Sequence, residues 1–401
     1  MSETAVKRRS EKYKIGFLEI FIPFYSIIMY YTFPFGGSVG QFMFLIYFIL
    51  TFPRHLMKNK PHIPKGLLVF VILLLPLQAL AFGLYGGFDV QRLINLIMIF
   101  FYTAFLGFYD INLKGLIKIY KIVAVLASIA IIYHFILINV FGRQVEAILL
   151  LPVERPEGWY QEGIRPMGLF PEPQVYATFI LPLLVMTVQN KERLMSLFLT
   201  FCIALSTSSL GIFCALGIWM YFTVSAKMNK LLIVASLVLF GIVVYIASTL
   251  SIFEYAVEKI ATTDFEENSR LTRGFYIYSL LPPIHQIIGI GVNNVEYALE
   301  SGKLFVDDNL TVLMKNPAYM TTTAELLVKY GLILTLVYFG MLWNFFKNSK
   351  CKILVLLLFF LSFGQTILFS GVWLVFMIFI QATLKEGNNC FWTGFGGRRT
   401  E

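Results

Sequence analysis

Long apolar runs, almost free of charge, recur along the whole chain. They fall at residues 17–33, 39–53, 66–85, 92–109, 115–142, 169–189, 194–208, 209–226, 231–250, 323–346, 353–367 and 368–384. About 20 apolar residues in a helix cross a hydrocarbon core about 30 Å thick. Inside lipid every backbone N–H and C=O must find a partner within the protein, so each run is expected to be helical. The expected fold class is an all-α integral membrane protein with about 12 transmembrane helices, in a range of about 10–12. Residues 1–401 are read as a single polytopic membrane domain.

Basic residues sit in the short loops between alternate runs. Arg54, Lys58, Lys60 and Lys65 follow the second run, and Lys114, Lys118 and Lys121 follow the fourth. Lys191 and Arg193 follow the sixth, Lys227 and Lys230 the eighth, and Lys347, Lys350 and Lys352 the tenth. All fall on one side if the N-terminus is cytoplasmic, as the positive-inside rule requires. The net charge of +9 is explained by these loops and gives no sign of a nucleic-acid partner. With 58% hydrophobic and only 14% charged residues, the chain lies outside the soluble range of about 25% charged. Regions 194–226 and 353–384 must each fold in two to preserve the charge pattern. Their halves, of about 16 residues, reach only some 24 Å. Lys7, Arg8, Arg9, Lys12 and Lys14 precede the first run, and no small-residue cleavage site follows it, so an uncleaved first span is expected. Cys202 and Cys214 lie within runs, Cys351 and Cys390 on the expected cytoplasmic side, and no disulfide is expected.

Two outer segments are too long to be turns: 143–168, and 251–322, the largest polar stretch. The second contains an amphipathic helix through Arg270, Arg273, Tyr276 and Tyr278, ended by Pro282–Pro283 and followed by a glycine turn at 288–294. Arg270 and Arg273, three residues apart, share a helix face. The sharpest local feature is Gly163–Ile164–Arg165–Pro166–Met167–Gly168–Leu169–Phe170–Pro171–Glu172–Pro173. It sets an arginine and a glutamate at the mouth of a span among helix-breaking residues. Charge at membrane depth is expensive and by default functional; the alternative is that Arg165 anchors at the interface and the prolines cap the next helix. Arg165, Arg270 and Arg273 form an outward set of planar, permanently charged forks suited to phosphate. Salt bridges with Glu172, Glu266 and Glu267 are the plainer reading of the same residues. No P-loop, zinc spacing or dinucleotide fingerprint is present. Asp307–Asp308 reads as a solvated acidic turn, with a divalent-ion site as the alternative. His134 reads as a core or interhelical hydrogen-bonding residue, with a proton carrier as the alternative.

These stretches carry a resemblance. Arg165-Pro-Met-Gly-Leu-Phe-Pro-Glu-Pro resembles the arginine–glycine–Glu-Pro segment that opens a span in bacterial polysaccharide polymerases of the Wzy type. Leu205-Ser-Thr-Ser-Ser-Leu-Gly resembles their serine-rich segment in the next span. Asn268-Ser-Arg270-Leu-Thr-Arg273, running on to Ile288-Gly-Ile-Gly-Val-Asn, resembles their second outer-loop motif. The resemblance covers roughly residues 160–345 and rests on the order of several short motifs. The superfamily also holds the O-antigen ligases, which typically carry a histidine shortly before the span after the second outer loop. Here that region, 317–331, has none, and His285 lies too early, so the polymerase reading leads.

The resemblance implies a GT-C-type glycosyltransferase architecture in a bacterial cytoplasmic (inner) membrane, with both termini cytoplasmic. It implies an undecaprenyl-diphosphate-linked glycan donor and acceptor, with a chain-length regulator and a flippase as further partners. Arg165, Arg270 and Arg273 would grip the leaving diphosphate, and Glu172 would accept the attacking hydroxyl's proton or orient an arginine. Trp159, Tyr160, Tyr276, Tyr278 and His285 would line the sugar site. No cofactor and no metal are implied if arginines stabilise the leaving group. The competing readings are a ligase acting on a lipid or protein acceptor and a transporter of lipid-linked sugars.

Overall fold

The computed structural model describes residues 15–33, 38–58, 62–86, 90–151, 165–225, 269–292, 294–302 and 320–385. Among these residues every regular element is a helix, and the β pairing is an isolated bridge between Thr32 and Ser38. In chain order the helices are α1 (Phe17–Ile28), α2 (Val39–Lys58), α3 (Lys65–Tyr85), α4 (Val90–Phe108), α5 (Leu113–Asn139), α6 (Pro173–Gln189), α7 (Arg193–Leu205) and α8 (Ser209–Ser225). Beyond the undescribed residues come α9 (Ser269–Leu280), α10 (Pro283–Ile288), α11 (Val295–Glu300) and α12 (Thr322–Glu325). A π-helical turn, Leu326–Tyr330, leads from α12 into α13 (Gly331–Asn348), followed by α14 (Lys352–Gly364) and α15 (Gly371–Lys385). The expected run 231–250 lies outside the described residues, as do Trp159, Tyr160, Asp307, Asp308 and Cys390.

Four stretches are long and apolar enough to cross a membrane: Val39–Met57, Lys65–Leu84, Leu113–Asn139 and Thr322–Asn348. Shorter apolar helices accompany them. Both regions that the charge pattern required to fold in two are broken. The first break, at Ser206–Ser208, puts Thr207 in the left-handed region (φ 56°), and the second puts Phe369 there (φ 52°). Trp219 Nε1 donates to Thr200 Oγ1 at 2.9 Å across 19 residues of chain. A continuous helix would hold those residues roughly 28 Å apart, so the chain doubles back between α7 and α8. The sixth run begins at Pro173 instead of 169. Gly168 (φ 59°) turns the chain there, and a proline opens the helix because its missing N–H has no partner to lose in the first turn.

Helix ends gather into two sets. At one, the Asn112 amide donates to Glu19 Oε1 (2.9 Å), Lys121 pairs with Glu192 (2.5 Å), Cys351 Sγ donates to Gln189 Oε1 (3.1 Å), and Ser349 bonds Thr383 (2.7 Å). The starts of α5 and α7, the end of α6 and the α13–α14 connection therefore share a pole with most of the basic loop residues. At the other pole, the Leu150 amide donates to the Tyr31 hydroxyl (3.1 Å) and the Gly168 amide to His134 Nδ1 (3.1 Å). Gln174 Nε2 donates there to the Gly364 carbonyl at 3.2 Å. His134 is thus a buried hydrogen-bonding residue, its partner lying in the turn before α6 and not on a neighbouring helix. Cys202, Cys214 and Cys351 are free thiols.

The interior is graded. α6 is buried all round from Val175 to Thr187, and α15 from Val372 to Gln381. Outer helices expose large apolar side chains: Ile49 (58%) and Leu50 (75%) on α2, Ile72 (60%) on α3, Leu126 (55%) on α5. An apolar exterior of this extent marks a surface that meets something other than water. With the helix lengths, it describes a helical membrane protein.

Candidate functional site

The second pole collects the residues singled out by their chemistry. Arg165 lies just before α6, and its fork grips the broken turn between α7 and α8. Nη2 donates to the Thr207 carbonyl (2.9 Å), and Nε donates to Thr207 Oγ1 (3.3 Å). The turn needs such a grip, because a β-branched residue in the left-handed region is strained by about 1–3 kcal/mol. Glu172 is the residue that caps α6, in extended backbone (φ −143°, ψ 149°), and its carboxylate does not bond the helix N-terminus. It lies within electrostatic reach of Tyr30, which is within reach of Tyr102 as well.

The second group sits on α9 and α10. Arg270, Arg273, Tyr276 and Tyr278 all fall on α9, as the spacing predicted. Arg273 is half-buried, and burial pushes its guanidinium below the ordinary arginine value. It keeps its charge nonetheless. Gly274 lets α9 lie against α12: a Cβ at that position would be 2.4 Å from Ala324 Cβ. The Tyr278 hydroxyl donates to the Gln286 carbonyl (3.2 Å), and Gln286 Nε2 returns a bond to Leu281 (3.0 Å), fixing α10 beneath α9. α9 ends before Pro282–Pro283, as expected, and Pro283 opens α10. His285 on α10 is buried, with Nδ1 3.5 Å from the Gly289 carbonyl.

His285 predicts a pH effect on stability. Burial holds its imidazole below the usual 6.5, against a smaller opposing effect of the Gly289 carbonyl. As pH falls, the unfolded chain binds this proton first, so stability is lost from about 6.5 down to the lower folded value. The thermal midpoint in detergent should drop between pH 7.5 and 5.5, and His285→Gln should drop less. Identical drops in the two proteins would refute the assignment.

A relay of hydrogen bonds joins the two groups. Thr178 Oγ1 on α6 donates to Gln365 Oε1 (2.6 Å). The Gln365 carbonyl accepts from the Thr322 amide (3.0 Å) and hydroxyl (2.9 Å) on α12. α12 carries α9. The elements that carry Arg165 and Arg273 therefore meet at the same pole through the α14–α15 turn.

Sequence reasoning passed over the residues at the π turn. Gly331 (φ 76°) interrupts the helix, and Gly289 (φ 80°) comes against it: a Cβ on Gly331 would lie 2.4 Å from the Gly289 nitrogen. The carbonyls freed there are taken up by the glycine turn after α10. The Ile290 amide donates to Val328 (2.9 Å) and the Gly291 amide to Lys329 (3.1 Å). Gln78 on α3 completes the clasp, its Nε2 donating to the Lys329 carbonyl (3.2 Å) and its Oε1 accepting from Val292 (2.9 Å). π turns inside helices are frequent at functional sites. This one presents an ion pair, Lys329 Nζ to Glu325 Oε1 at 2.7 Å, to a cavity of about 130 Å³. Glu325 Oε2 is buried and has no hydrogen-bond partner among the described residues. Leaving a buried charged oxygen unmet costs about 1–3 kcal/mol or more. The signal was present in the sequence: two ionisable residues, four apart, opening an apolar run.

Among the described residues no group of three or more His, Cys, Asp or Glu is placed to hold a metal. No protein-family model matches the chain, and no curated protein matches it.

Proposed function

We propose that this protein polymerises lipid-linked oligosaccharide repeats at the outer face of a bacterial cytoplasmic membrane. A sugar hydroxyl of one lipid-linked repeat attacks the anomeric carbon of the growing glycan. The bond from that carbon to the polyprenyl diphosphate breaks, and the hydroxyl's proton passes to a base, for which Glu172 is the candidate. Arg165, Arg270 and Arg273 stabilise the charge that grows on the departing diphosphate. A GT-C-type arrangement of about 12 spans belongs to the same proposal.

One observation carries it furthest. Two of the stretches that resemble the Wzy-type polymerases, 165–173 and 205–211, are 42 residues apart at Arg165 and Thr207, yet are bonded to each other at one pole. The third, through Arg270 and Arg273, reaches the same pole by way of α12. An arginine fork, a carboxylate and tyrosines at one membrane face suit a diphosphate-linked sugar. Deletion in the native host, followed by gel analysis of surface glycan, tests it. A single repeat on the acceptor supports a polymerase. Unattached polymer would instead indicate a ligase, and loss of all outward lipid-linked repeat a transporter.

The orientation is testable separately. The pole holding Arg165 is proposed to face outward, because basic loops concentrate at the other. A cysteine placed at Ser301 should label in intact cells with a membrane-impermeant reagent, and one at Lys350 should not. The reverse pattern would overturn the topology.

A further inference from the structure

The cavity at the π turn has walls unlike the rest of this pole. Tyr102 and Phe369 supply aromatic rings, the Glu325–Lys329 pair supplies charge, and Asn95 and Gln41 supply amides. We propose that this cavity is a subsite for one sugar ring of the acceptor glycan, its hydroxyls bonded by Glu325 and Lys329. The proposal rests on the glycan-transfer reading and adds a second contact region to it.

Size argues for a single ring. A space of about 130 Å³ is near the roughly 150 Å³ that takes up a six-membered benzene ring in an engineered protein cavity, so it admits no more than one six-membered ring, with a hexose's outer substituents left at its mouth. Chemistry argues for a sugar. A pyranose offers a C–H face that lies on aromatic rings and a rim of hydroxyls that both donate and accept. The carboxylate accepts, the ammonium donates, and an amide does both. A diphosphate would meet the Glu325 carboxylate and a lysine already neutralised by it. A lipid tail would leave the ion pair without water or partner. The unmet Oε2 of Glu325 wants a donor. The last torsion of a glutamate is soft, so a small rotation turns that oxygen toward a ligand hydroxyl. Tyr30 lies within electrostatic reach both of Glu172 and of Tyr102, which lines the cavity.

The test uses the full chain in nanodiscs and a panel of methyl glycosides of common hexoses and N-acetylhexosamines, read by saturation-transfer NMR. At least one glycoside should bind the unaltered protein. Glu325→Gln should weaken it at least tenfold, as should Ile99→Phe, which fills the cavity from α4. Asn344→Ala, at the opposite pole, should leave it unchanged. A thermal midpoint confirms that each variant is folded, and Gln41→Ala replaces Glu325→Gln if that variant fails the check. No glycoside bound, or full binding retained by either folded cavity variant, overturns the proposal. The surface-glycan ladder judges the polymerase reading independently. Sugar binding with an unaltered ladder on deletion would keep the subsite and remove the polymerase.

Discussion

Arg165→Lys should reduce surface polymer to about a hundredth of normal or less, with the protein still inserted at its usual level. Losing one donor to a developing negative charge costs about 2.7–4 kcal/mol in well-studied sites, or roughly 100- to 1,000-fold in rate. Lysine keeps the charge but has a single compact head, so it loses the fork. The structure adds a second consequence. The same fork holds Thr207 through two atoms, its carbonyl and its Oγ1, and lysine cannot span both. Thr207→Ala separates the two roles, since it removes Oγ1 and leaves the carbonyl. Its polymer output should stay within about tenfold of normal, the loss of one hydrogen bond being worth about 1 kcal/mol. The measurement is complementation of a deletion strain, scored as polymer ladder at matched protein level. Equal damage from both variants would locate the whole effect in the turn. Near-normal polymer from Arg165→Lys would reject the diphosphate role outright.

Gly331→Ala should be the most damaging single methyl added to the described helices. Its φ of 76° and ψ of 175° fall in a region essentially reserved for glycine, where a side chain costs about 1–3 kcal/mol. The new Cβ would also lie 2.4 Å from the Gly289 nitrogen and 2.4 Å from the Ile287 carbonyl oxygen, both backbone atoms. Backbone on both sides of a hydrogen-bonded clasp cannot step aside as a side chain would. Together the strain and the overpacking should cost about 3 kcal/mol or more, a large share of the 5–15 kcal/mol typical of a folded protein. Gly340→Ala is the control. Nothing lies within 4 Å of its Cβ and it sits inside α13, so alanine should stabilise by about 0.5–1 kcal/mol. The readout is the thermal midpoint of the detergent-solubilised protein. A Gly331→Ala midpoint equal to that of Gly340→Ala would show that the clasp does not form as described.

The helices were largely legible, because their signal is local. The run expected at 209–226 is α8 at Ser209–Ser225, and the one at 66–85 is α3 at Lys65–Tyr85. The breaks within 194–226 and 353–384 followed from charge bookkeeping alone. The amphipathic helix through Arg270 and Arg273 was legible from spacing and from Pro282–Pro283. What the pattern could not reveal was nonlocal. Nothing in the run Val175 to Val188 distinguishes a helix wrapped in protein from one facing lipid, since both are apolar all round. The partnership of Arg165 with Thr207 depends on how two helices fold back, which no periodicity encodes. Glu325 and Lys329 mark the mouth of an apolar run in the sequence, but their spacing of four also suits an ordinary helical ion pair. Only the cavity and the glycine clasp across 289–331 give them their setting.

The all-round burial of α6 bears on how the chain is made. α6, at residues 173–189, emerges from the ribosome well before part of its covering, α15, at residues 371–385. A 17-residue helix is about 25 Å long, too short to match a typical hydrocarbon core, and becomes comfortable only when other helices surround it. Nearly two hundred residues must follow before that neighbour exists. Over that interval it is a provisional occupant of the bilayer. Chains stopped before Gly371 should therefore be the species that membrane quality control recognises and clears, whereas the long α2, α3 and α5 can stand in lipid from the moment they are threaded in.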